Sequence, residues 1–205
     1  MTMSDRVDTV SPDYPMIVPL QECHQSRCRE LWLDRFGAVE EHADQWLHDA
    51  RVDVDQPTQG FVLKPSALTI AGFAIATIVD REYAKDYIEV DVDFEPWERT
   101  GIHHMLVVDE EYESQGVGTE LVRHRLEWLA AMDVDGVVGI SWHRDGHHDS
   151  RPLFEAFDFH AVATVEEYYA VHDDAPCPDC EGSCRCDATI YARPLADFDG
   201  GEDDE

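Results

Sequence analysis

Apolar positions change period several times along this chain, and each change marks an element. Met16 to Leu20 (MIVPL) is a short apolar run of strand length. Gln21 to Phe36 carries Leu31, Trp32 and Phe36 at helical spacing, and Val39 to Ala50 reads as a second helix. Gly60 to Lys64 and Leu68 to Asp80 form a hairpin pattern, interrupted at Pro65-Ser66. Ile88 to Phe94 (IEVDVDF) alternates strictly, which fits an extra edge strand or an exposed acidic loop. Ile102 to Val108 is a central strand, Gly116 to Met132 a helix, and Gly136 to Trp142 the next strand. Asp149 or Ser150 can cap a short helix with Pro152 in its first turn. Phe159 to His172 and Asp187 to Ala192 close the pattern as two strands. The expected organisation is a polar lead-in (1–14), one domain (15–194) with a Cys-rich insertion (173–187), and an acidic tail (195–205).

The most informative stretch is Val107 to Leu129. A strand meets an acidic turn, and Gly116 and Gly118 then open a helix with Leu121, Val122, Leu126 and Leu129 on its apolar side. Free backbone N–H groups at a helix start suit a phosphate or pyrophosphate. Two glycines leave an approaching anion unobstructed. A Rossmann fingerprint needs a third glycine and a Walker loop needs Gly-Lys-Ser/Thr, so neither fits.

Val108-Asp-Glu-Glu-Tyr112-Glu113-Ser-Gln-Gly116-Val-Gly118-Thr-Glu-Leu121 resembles the acetyl-CoA signature of the GNAT N-acetyltransferases, V-x-P-x-Y-R/Q-x-x-G-x-G/A-x-x-L. Glu113 departs from the family's Arg or Gln. Leu153-Phe154-Glu155-Ala156-Phe157-Asp158-Phe159 resembles the family's L-Y-E-K-x-G-F, with Phe154 in place of Tyr. The resemblance implies an α/β (α+β) fold with a mixed, mostly antiparallel sheet flanked by helices, in the order β-α-α-β-β-β-α-β-α-β-β. It also implies that acetyl-CoA lies against Leu106, Val107, Val108, the turn Ser114, Gln115, Gly116, Val117, Gly118 and Thr119, and Phe154. A bulge at Leu106 to Val108, splayed from Ile140 to Trp142, would free a backbone N–H for the thioester carbonyl.

A general base belongs on the central strand, where His103 and His104 stand. The resemblance favours His104, which matches a histidine of the arylalkylamine branch. Regular alternation groups His104 with Ile102, Leu106 and Val108 and turns His103 away. Phe154 cannot protonate a thiolate; either another residue does so or the thiolate leaves unassisted. His143, His147 and His148 form a second histidine cluster that fits a solvated loop better than a metal site.

Cys177, Cys180, Cys184 and Cys186 place four thiols within ten residues between two predicted strands. In a reducing compartment this set suits one structural zinc with a closed tetrahedral shell. Two disulfides, an iron–sulfur cluster and free thiols are the alternatives. Cys23 and Cys28 read as core residues.

Composition adds the setting. The 205 residues carry 45 acidic against 15 basic side chains, a formal net charge of −30, and only Lys64 and Lys85 are lysines. Such a surface disfavours nucleic acid and anionic membranes as partners. Uniformly spread carboxylates fit a halophile's protein, since molar salt shortens the Debye length to about 3 Å; the alternative is a mesophilic protein with an acidic partner-binding face. No apolar run approaches the ~20 residues of a membrane span, and the first residues lack a signal-peptide pattern, so the expected location is the cytoplasm. A homodimer is allowed. The expected function is acetyl transfer from acetyl-CoA to a primary amine. A non-catalytic acyl-CoA-binding or regulatory module and a zinc-dependent interaction module are the competing readings.

Overall fold

A computed structural model describes residues 14–36, 47, 56–88, 90, 92, 94–144, 150–168, 180 and 184–196. The elements in chain order are β1 (Met16–Pro19), a 3-10 turn (Glu22–His24), α1 (Gln25–Phe36), β2 (Thr58–Lys64), β3 (Gly72–Asp80) and α2 (Arg81–Ile88). They continue with β4 (Arg99–Val108), a 3-10 turn (Glu110–Tyr112), α3 (Val117–Ala131), β5 (Gly136–Trp142), α4 (Arg151–Ala156), β6 (His160–Val165) and β7 (Ala188–Pro194). Seven strands form one sheet in the order β1-β2-β3-β4-β5-β7-β6. Every neighbouring pair is antiparallel except β4 with β5. The mixed, mostly antiparallel sheet is as the sequence resemblance implies.

Helices cover both faces. Leu31 and Trp32 of α1 pack on Val62, Phe73, Ile75 and Val107, while Ala84 of α2 meets Val79 and Ile102 farther along the same face. Leu121, Val122, Leu126 and Leu129 of α3 cover the opposite face with Phe154 of α4. The apolar stripe read from the sequence is therefore the buried side of α3. Of the expected helix from Val39 to Ala50, only Leu47 is among the described residues, where it is helical and fully buried in the α1-side core.

Two expectations need correction, and one open alternative is decided. Of the edge strand and the loop that both fit Ile88 to Phe94, no strand forms among the described residues. Arg81–Ile88 forms a helix instead, and Val90, Val92 and Phe94 lie across β5 and β7 against Val138 and Ile190. The Asp80 carboxylate accepts a hydrogen bond from the Tyr83 N–H at 2.8 Å, so a helix start was visible in Asp-Arg-Glu-Tyr. The strand expected to reach His172 stops at Val165, followed by a turn in which Glu167 has a positive φ. Ser150 occupies the position before α4 but does not cap it; its hydroxyl bonds the Ser141 hydroxyl at 3.0 Å.

β4 and β5 share only four rungs, Thr100 with Gly136 through His103 with Gly139. Beyond them β4 runs on to Val108 beside β3 and β5 runs on to Trp142 beside β7. Large side chains press onto the backbone at the shared rungs. A Cβ at Gly101 would lie 2.9 Å from Leu129, one at Gly136 2.4 Å from the Trp97 ring, and one at Gly139 2.6 Å from the Phe154 ring.

Candidate active site

The gap between β4 and β5 begins directly after His103 and Gly139 and leads along Met105–Val108 to the glycine turn. The splay from Ile140 to Trp142 is where the sequence put it. The bulge is not. The β3–β4 register runs unbroken from Val108 to Met105, then shifts so that Ala76 faces His103, which leaves His104 as the extra residue. Strand alternation cannot survive an inserted residue, so the expected grouping of His104 with Leu106 and Val108 fails. Leu106 and Val108 face α3, whereas His104 meets the Tyr87 ring of α2, with centroids 5.1 Å apart and nearly perpendicular planes. His103 lies on the α3–α4 side, its ring 5.7 Å from that of Phe159.

Arg125 of α3 reaches this bulge. Its Nη1 donates to the carbonyls of Met105 at 3.2 Å and Ile75 at 3.4 Å, the pair just before the register shift. A cation thus replaces ladder donors that the bulge has misaligned. The sequence offered one signal for it: a charged residue on the apolar stripe of α3, between Val122 and Leu129. Both ring nitrogens of His103 and Nε of Arg125 are buried without a hydrogen-bond partner among the described residues. An unmet buried polar group costs about 1–3 kcal/mol, so three of them together at the bulge are a costly arrangement for packing alone.

Burial and then the Arg125 charge push the His104 imidazole down to about 3. Burial, Arg125 and His104 hold His103 well below its usual 6.5. Burial lowers Arg125 to about 9, which leaves it charged at neutral pH. Both histidines are therefore neutral in the folded protein. An unfolded chain takes up protons on them below about pH 6.5, and the folded chain does not. Stability is then unaffected by these groups above that pH and falls as pH drops below 6.5, a loss that for His104 continues toward about 3. Denaturant titrations at pH 7, 6 and 5 should show this loss, and His103→Phe should reduce its slope; an unchanged slope would place the acid sensitivity elsewhere.

The turn is anchored from α1. Asp109 accepts from the Glu111 N–H and pairs with Arg27. Glu113, the residue that departs from the family pattern, pairs with Arg35 at 3.2 Å. Its charge is met by a neighbouring helix, so it does not stand unopposed beside the glycine turn. Ser114 and Gly116 have positive φ, and both are exposed with Gln115, whose side chain donates to the Glu111 carbonyl. Val117 is buried and offers only its backbone; Gly118 and Thr119 are half-buried. The first amides of α3 have no partner within the helix, and the first internal bond runs from Glu120 N–H to the Gly116 carbonyl.

Phe154 stands apart from this turn. It is 7 % exposed, stacks on Tyr191 at 4.7 Å, and underlies Gly139 where the gap opens. Val107 is buried on the α1 side beside Trp32. Of the ten residues expected to meet the cofactor, Val107, Val117 and Phe154 are thus buried and the others line the gap or the turn.

Cys180, Cys184 and Cys186 bring their sulfurs within 4.8 Å of one another between β6 and β7. Cys177 lies outside the described residues, as do His147 and His148. His143 bonds Thr189 at 3.0 Å. Cys28 is core as expected, its thiol pushed up to about 12 by burial, but Cys23 is exposed.

The fold superposes on the ribosomal-protein-S18-alanine N-acetyltransferase of Escherichia coli with a TM-score of 0.62 at 19% identity, covering 92% of this chain and 97% of that one. It superposes on Arabidopsis thaliana NAA60 in complex with acetyl-CoA with a TM-score of 0.64 at 14% identity, covering 87% and 97%. It also matches the mosquito arylalkylamine N-acetyltransferase like 5b, with a TM-score of 0.60 at 12% identity, covering 87% and 99%. Comparison with curated proteins returns no match. The acetyltransferase (GNAT) family matches residues 26–159, from α1 through the turn and the β4–β5 gap to Phe159. With more than half of its length matched, this chain belongs to the GNAT acetyltransferase family and is an acyltransferase.

Proposed function

We propose that the protein moves an acetyl group from acetyl-CoA to a primary amine by direct transfer. The observation that carries this reading is the gap that opens after His103 and Gly139 and leads to a turn of free amides. Acetyl-CoA laid along it has its pyrophosphate at Ser114 to Thr119 and its thioester near the bulge. The neighbours from Arabidopsis and Salmonella typhimurium are bound to acetyl-CoA, which supports the choice of donor.

His104 serves as the base. A neutral imidazole on the α2 side of the bulge accepts the proton that the attacking amine gives up, directly or through water. Release of free CoA thiol with a panel of small amines and peptide N-termini tests the reading. Acetyl-CoA binding with no turnover on any amine would instead fit a binding module.

The β6–β7 loop holds structural zinc in this reading. Tetrahedral Zn–S bonds of about 2.3 Å set sulfurs about 3.8 Å apart, whereas a disulfide needs about 2.05 Å. Cys180 and Cys186 lie 3.8 Å apart. With Cys184 and Cys177, four thiolates close the shell, so the metal shapes the loop and has no open position for catalysis. The loop abuts the end of β5, where the His143 N–H donates to the Asp187 carbonyl at 2.9 Å. One zinc per chain is expected by elemental analysis of protein purified under reducing conditions. Stripping it should lower the melting temperature while acetyl-CoA binding persists. Iron with visible absorbance, or no metal at all, counts against it.

A further inference from the structure

We infer that His103 receives the sulfur end of the cofactor and donates a hydrogen bond to the thiolate as it leaves. This rests on the acetyl-transfer reading and adds a residue to it. His103 is the last β4 residue paired with β5, so its backbone stands where the two strands part. The residue is 3 % exposed, and among the described residues neither ring nitrogen has a hydrogen-bond partner. A neutral imidazole carries one N–H and one lone pair, and here neither is used. Nearby groups leave few uses for them within the protein. Phe159 offers a ring face, Phe154 packs on the facing Gly139, and the guanidinium of Arg125 has no lone pair to accept with.

Distance and side agree with a cofactor. From Val108 back to His103, β4 covers about 16 Å at about 3.3 Å per residue, the reach of an extended pantetheine arm. His103 lies on the α3–α4 side, the same side as Leu106, Val108 and the start of α3. An anion held at the α3 start therefore extends its arm toward this imidazole.

The chemistry balances without a proton from His103. The amine nitrogen bonds to the carbonyl carbon, the C–S bond breaks, and its electron pair leaves on sulfur. The amine's proton passes to the base. CoA departs as a thiolate hydrogen-bonded to the His103 N–H and takes its proton from water on release. His103 stays neutral throughout, as its burial requires.

Ring 15N resonances of His103 in the wild-type chain provide a test that needs no activity. CoA should shift them. 3′-Phospho-ADP, which has the phosphates and no thiol arm, should bind without shifting them. CoA that binds by calorimetry and leaves the ring unmoved overturns the inference. Failure of CoA to bind at all removes the cofactor reading, and this inference with it. A kinetic test complements this one. His103→Phe should lower kcat at least about tenfold with KM for acetyl-CoA within about threefold, and His103→Gln, which keeps an N–H donor, should recover part of the loss. Wild-type kcat in folded His103→Phe overturns it. If His103→Phe does not fold, the resonance test decides.

Discussion

Replacing His104 with alanine is expected to lower turnover about 100-fold, the low end for a positioned general base, because burial and the Arg125 charge make its imidazole a weak base. The pH profile should be unlike that of an ordinary histidine. An unperturbed imidazole would place an acid limb near 6.5. Burial and the nearby Arg125 charge move the His104 limb down to about 3. Corrected for ionisation of the acceptor amine, kcat/KM should then be flat from neutrality down to where the protein begins to unfold. The alanine variant should run parallel to the wild type at about a hundredth of its height. An inflection near 6.5 that disappears in the variant would mean that water reaches the ring in the working enzyme. Full activity in the variant would assign proton removal to water or a carboxylate.

Gly118→Val is expected to weaken acetyl-CoA binding by at least about 100-fold. Losing two charge-assisted hydrogen bonds at about 1.5–3 kcal/mol each accounts for that. Two obstacles arise at once. The new methyls crowd the amides at the start of α3, and the Cβ alone would sit 3.1 Å from Leu153 of α4. Gly116→Ala is the comparison. Nothing lies within 4 Å of a Cβ there, but its φ of +84° places it in the left-handed region. Its cost is about 1–2 kcal/mol of local strain, seen as a lower melting temperature. Calorimetry on folded protein separates the two. Gly118→Val with unchanged affinity would remove the turn from the binding site.

The turn and the α3 stripe were legible because they rest on local rules: glycine at a left-handed position and a 3.6-residue period. The faces of β4 were not, because a bulge is a mismatch between strands, and only the partner's register reveals it. One inserted residue at His104 reversed which side every later residue of β4 takes. Glu113 looked like a defect in the motif, since its partner Arg35 is 78 positions away in the chain. Arg125 was hidden likewise: within α3 it is one more arginine, and its value comes from the Ile75 and Met105 carbonyls. The strict alternation of Ile88 to Phe94 fitted an edge strand and an exposed loop alike, and only the packing separates them: Val90, Val92 and Phe94 are partly buried against Val138 and Ile190.

The four rungs between β4 and β5 make a narrow seam between two sub-sheets, β1 to β4 and β5 to β7. Glycine appears in three of those rungs, and Leu129, Trp97 and Phe154 act as wedges driven onto it from the two faces. The sub-sheets are thus fastened by shape as much as by backbone pairing. A single added methyl would meet an aromatic ring below 3 Å at either end of the seam, and at Gly139 it would lever the seam apart where the gap begins. The width of the gap between β4 and β5 is accordingly set from behind, by Leu129, Trp97 and Phe154. Drift in catalytic rate with an unaltered turn sequence should trace back to these wedges.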